Sequence, residues 1–135
     1  MLSSKIVLWI QIGVAIMLAV GAVFAKFRWY RAHGICQSAA YLATLLTTAL
    51  WMIPVFAKFY APNLVKPGRD DLIVTGHAAL GTITLLLATW VVLVAGTSIV
   101  PTRWRFSNFR AWMRTLITLW WSTTALVIWT YWVAT

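Results

Sequence analysis

The sequence predicts an all-α membrane protein, a four-transmembrane-helix antiparallel bundle with both termini on the same, extracytoplasmic side. Three observations predict it. Four long apolar runs, at about residues 6–25, 35–57, 72–100 and 113–134, fill nearly all of the 135 residues. Each matches or exceeds the ~20 residues a helix needs to cross a hydrocarbon core ~30 Å thick. Hydrophobic residues make up 62% of the chain and charged residues 10%, a balance outside the range of soluble domains. The charged residues lie at or near the ends of the runs, where headgroups meet water. Residues 1–135 therefore read as a single transmembrane domain with almost nothing outside the bilayer.

The first run follows Lys5 and ends in Val23, Phe24 and Ala25 before Lys26, the outline of a secretory signal, and is read as a retained transmembrane helix. Gly13, Gly21 and Ala25 give it a face of small residues on which another helix can approach closely. The second run carries a similar face in Ala39, Ala43 and Thr47. Its Pro54 removes a backbone donor and bends the helix near its exit. The loop that follows holds the breakers Pro62, Pro67 and Gly68 and the only two acidic residues, Asp70 and Asp71; one of the pair is expected to N-cap the third span. That third run would be about 43 Å long if wholly helical, so it must tilt, kink or project. The fourth offers Thr115, Thr118, Ser122 and Ala125 as its packing face.

Four spans put Met1, Thr135 and the 58–71 connection on one side, here side A, and the other two connections on side B. Side B carries Lys26, Arg28, Arg31, Arg103, Arg105, Arg110 and Arg114, against Lys5, Lys58, Lys66 and Arg69 on side A. The excess places side B in the cytoplasm by the positive-inside rule, in a multi-pass protein of the cell membrane. Trp29, Tyr30, Trp104 and Trp112 flank side B, while Trp9, Tyr60, Trp129, Tyr131 and Trp132 sit towards side A, as interfacial belts do. Trp90, Trp120 and Trp121 fall nearer mid-span and read as bulky packing or lipid-facing residues.

Several function classes are excluded at this level. The net charge of +9 is explained by lipid headgroups at the span ends, so anionic lipids are expected partners and nucleic acid is not. No Asp, Glu, Lys or Arg lies deep in a span, which disfavours a pump or ion pathway. No catalytic residues are assigned: both acidic residues share one loop, and His33 lies across the membrane from them. Lone Cys36 has no internal disulfide partner.

The two histidines are the candidate cofactor-binding residues. His33 opens the second span on side B, and His77 lies near the side A end of the third; from opposite ends they cannot jointly ligate one haem. His33 and Cys36 are three apart on one helix face, two donors for a soft metal but not a site. His77 has Gly81 one turn on, which leaves room beside the imidazole for a neighbouring helix or a flat ligand such as a quinone or haem. No metal is assigned, and no cofactor is expected beyond the possibility of haem. Arg103, Arg105, Arg110 and Arg114 form a basic cluster suited to lipid or an acidic partner surface.

Arg31, Ala32 and His33 opening span two, Tyr41 beyond them, His77 opening span three, and 108–114 leading into Thr115 to Trp120 and ending in Trp129, Thr130 and Tyr131 form a pattern. It resembles a family of small four-helix membrane proteins linked to cytochrome oxidase maturation, similar to one four-helix half of haem A synthase. That family commonly opens its last span with a second histidine; here the corresponding stretch carries Asn108. The resemblance implies the fold and association with a respiratory membrane complex, without the paired imidazoles. The expectation is a non-catalytic accessory or assembly subunit, packed in a hetero-oligomer against other integral membrane subunits of an oxidoreductase, either a haem-copper oxidase or a metal-dependent monooxygenase. The alternative is a small haem- or quinone-binding electron-transfer protein using His33 or His77.

Overall fold

The computed structural model describes residues 3–105 and 107–134, and the described residues form helices and loops without strands. Four helices are long and apolar enough to cross a membrane: α1 (Ser4–Lys26), α2 (Tyr30–Phe59), α3 (Arg69–Gly96) and α4 (Phe109–Ala134). The expectation that the chain ends share one side falls on residues 1 and 135, outside the described residues.

Local chemistry sets each boundary. Ser3 caps α1, its hydroxyl accepting the Ile6 N–H at 3.4 Å. At the other end Arg28 adopts φ 62°, the Arg28 N–H donates to Ala25 and the Trp29 N–H to Phe24. Those two bonds make a Schellman motif with arginine where glycine is usual, and the stacked Phe24 and Trp29 rings, 5.7 Å apart, supply its apolar contact.

α2 starts at Tyr30, five residues before its apolar run, because the polar first turn continues the helix without a break. A wide turn of π type over Thr48–Met52 interrupts it ahead of Pro54, with the Ile53 N–H reaching Thr48. Proline lacks an N–H and its ring crowds the carbonyl four residues back, and the extra residue in the turn absorbs both. The expected bend thus takes the form of a bulge.

The cap of α3 is Gly68 rather than an aspartate. Asp71, at the third helical position, accepts the Gly68 N–H at 2.9 Å and the Asn63 side-chain amide at 3.3 Å, so it closes the helix start from within. α3 ends at Gly96, four residues before the end of its apolar run, because Thr97 turns extended at φ −137° and ψ 162°. Arg105 then folds back on the frayed end: Nε donates to Val100, one terminal nitrogen to Val94 and the other to Thr97, at 3.1, 3.0 and 2.7 Å. One guanidinium satisfies three carbonyls, two of them at or just beyond the helix end, that would otherwise face the bilayer edge unpaired.

α1 packs along α2, α3 packs along α4, and α1 also lies against α4, with a lighter contact between α2 and α3. The core is small: Val14 and Leu18 of α1, Ala40 of α2, Ala88 of α3 and Trp120 of α4. Trp120 is a packing residue, while Trp121 is exposed. Small residues at 40 and 88 are what let a single indole reach the centre, as helix association without a hydrophobic drive requires.

Candidate functional site

The interfaces between helices hold a few polar side chains that bond across them. Between α1 and α2 they form a latch near side B. His33 Nδ1 lies 2.7 Å from the Gly21 carbonyl and donates to it, and one turn on, the Gln37 amide donates to Leu18 at 3.4 Å. Residues 33 and 37 share a face of α2, and 18 and 21 share a face of α1, so the two bonds run in register. Gly21 permits the approach: a Cβ there would stand 2.8 Å from Gln37 Nε2 and 3.1 Å from Cys36 Cβ. Cys36 is thus half-buried against Gly21 as a small packing group.

The carbonyl fixes the tautomer. With Nδ1 protonated, Nε2 of His33 is left as an acceptor, and among the described residues it has no hydrogen-bond partner. The His33 side chain also lines a cavity of about 30 Å³, together with Gln37, Leu18, Met113, Ile117 and Trp120, among others. Met113 lies one turn into α4, about 6 Å along the helix, and His33 about 5 Å into α2, so both stand near the same end.

α3 and α4 meet through hydroxyls. The Thr84 and Thr123 hydroxyls approach to 3.2 Å, and each also has the carbonyl one turn back, on Leu80 or Leu119, within reach, so one donates across the interface and the other to its own helix. The Thr123 backbone also accepts a hydrogen bond from the His77 ring, and Gly81 leaves a Cβ position 3.6 Å from the Thr123 methyl. The room beside His77 is therefore filled by α4. His77 Nδ1 is buried and unpartnered among the described residues, as are Gln11 Nε2, Thr44 Oγ1 and Thr75 Oγ1. Tyr41 joins α2 to α3 by a 2.8 Å bond to the Thr89 hydroxyl.

The expected sites are thus distributed. His33 and His77 occupy different interfaces, one against α1 and the other against α4. In the basic cluster, Arg103, Arg110 and Arg114 are exposed, whereas Arg105 is committed to the end of α3. The small-residue face expected on α4 is rotated: Thr115, Thr118 and Ser122 are exposed and bond their own helix, and Thr123 and the buried Thr124 face inward instead. Gly13 likewise faces open space. Sequence reasoning passed over Gln11, only 5% exposed, and Gln37. Their signal was available, since a carboxamide inside an apolar run needs a partner across an interface.

Comparison with family models, curated proteins and solved structures finds no match to this chain. The site is therefore read from its own geometry. Beyond Thr47 that geometry changes character: the backbone from Thr48 to Phe59 runs close mainly to its own adjacent turns and the loop that follows, none of its residues is buried, and only Thr48, Trp51, Met52, Val55 and Phe56 are half-buried. Leu50 is 75% and Ile53 60% exposed there.

Proposed function

We propose that this chain is a non-catalytic accessory or assembly subunit of a larger membrane oxidoreductase complex, arranged as an antiparallel four-helix bundle in the cell membrane with both termini outside. The observation that carries the reading is the second half of α2. A helix segment long enough to cross half a bilayer, carrying a π-type turn and Pro54, has no buried residue and leaves Leu50, Ile53 and Phe59 more than half exposed. Irregular helical backbone in a membrane is tolerated where neighbouring helices cover it, and a partner subunit would supply them. The chain's polar side chains support the same reading, because they bond their own helix or, at His33, Gln37 and Tyr41, a neighbouring one, rather than gathering around a reacting centre.

The oxidoreductase character of the complex rests on the resemblance to the oxidase-maturation family. Anionic lipid at side B is supported by Arg28 and Arg31, which line an open groove with Trp29 and Tyr30. Mild-detergent purification of the tagged chain, with co-purifying subunits identified by mass spectrometry and the visible spectrum read on the same fraction, tests the proposal. Stoichiometric oxidase or monooxygenase subunits are the expected result. One observation favours the second reading, a haem- or quinone-binding electron carrier: the buried Nδ1 of half-buried His77, unpartnered among the described residues. A haem band that follows the isolated chain and vanishes in His77→Ala would establish that reading instead.

A further inference from the structure

We propose that the cavity beside the α1–α2 latch binds a soft monovalent metal ion, Cu(I), through His33 Nε2 and the Met113 thioether. A metal-binding histidine almost always donates its other ring N–H to a carbonyl or carboxylate, which sets the tautomer and raises the basicity of the ligating nitrogen. His33 is held in that state by the Gly21 carbonyl at 2.7 Å, and its Nε2 is left without a partner among the described residues. Met113 lines the same cavity.

Size and surroundings choose the occupant. A volume of about 30 Å³ is an order of magnitude below the ~300–1,000 Å³ of sites for organic ligands, so neither a tetrapyrrole nor a quinone fits. It is enough for one ion or one water. Leu18, Ile117 and Trp120 make the rest of the wall largely apolar, which disfavours hard, strongly hydrated cations. An imidazole with a thioether matches Cu(I), which is content with few, soft donors. Trp120 lines the same cavity, and an indole ring attracts a cation. Low charge matters as well, because Arg28, Arg31, Arg110 and Arg114 crowd the same end of the bundle and repel a divalent ion more strongly. Gln37 lines the cavity too; its amide nitrogen is occupied by Leu18, which leaves its oxygen available as a weak third donor.

The inference does not depend on the accessory role proposed above. Its test is an anaerobic titration of the full-length chain, purified in mild detergent, with Cu(I) in competition with bicinchoninate. One equivalent per chain is expected. Met113→Leu conserves volume and leaves the latch intact, and is expected to weaken binding by at least about tenfold, while Cys36→Ser leaves it unchanged. Selenium-edge absorption on selenomethionine-labelled protein reads a copper neighbour directly, without relying on any variant to fold. Absence of uptake, uptake indifferent to Met113→Leu, uptake lost in Cys36→Ser, or a selenium edge without a copper neighbour would each overturn the proposal.

Discussion

The two halves of α2 are built on opposite principles. From Tyr30 to Thr47 the helix is tied at His33 and Gln37 to α1, contributes Ala40 to the core and reaches α3 through Tyr41. From Thr48 to Phe59 it has the bulge, Pro54 and no buried residue. The second half is the more apolar, since the first carries Arg31, His33, Gln37 and Ser38, so hydrophobicity did not decide which one packs. In lipid the apolar drive between helices is absent, and close approach and interhelical hydrogen bonds decide instead. The first half has glycine opposite it and polar groups that reach across. Thr47 and Thr48, where the halves meet, turn their hydroxyls inward on their own helix, to Ala43 and Met52.

The largest effect is expected where that approach is tightest. Gly21→Val drives a branched side chain into Gln37 and Cys36 and should cost about 3 kcal/mol, measured by unfolding in a detergent–SDS titration. His33→Ala removes one latch bond and leaves the Gly21 carbonyl its own helical partner; a loss of about 0.6–1.7 kcal/mol is expected in the same titration. Arg28→Gly sharpens the comparison from the other direction, because it relieves a left-handed arginine just before α2 begins and should stabilise the chain by about 1 kcal/mol. At the far half, Leu50→Ala together with Ile53→Ala should change the stability of the isolated chain by no more than about 0.5 kcal/mol, since neither side chain packs against the bundle.

The four spans were legible because length and hydropathy answer directly to bilayer thickness. Which faces meet was not. Leu18 is buried and Leu42 is 54% exposed, yet both are leucines in equally apolar surroundings, and a bilayer provides no polar outer face to break the tie. The small-residue rule found Gly21 but also Gly13 and Thr118, which face outward, because a threonine can satisfy its hydroxyl on its own helix without a partner. The Arg105 clamp spans eleven residues to Val94 through a loop whose path no local pattern specifies. The bulge in α2 was foreshadowed by Pro54. The cavity between His33 and Met113 was hidden because its two donors lie 80 positions apart in sequence and come together only when α2 and α4 are brought to one end.

The account turns on whether the second half of α2 is a surface for other subunits. The direct measurement is quantitative capture of the complex with the tagged native chain and with the Leu50→Ala, Ile53→Ala variant, in parallel, from the same membranes. The account predicts stoichiometric membrane subunits with the native chain and their loss with the variant, at unchanged helical content and expression. Equal recovery with both chains, or a native chain that comes out alone, would contradict it.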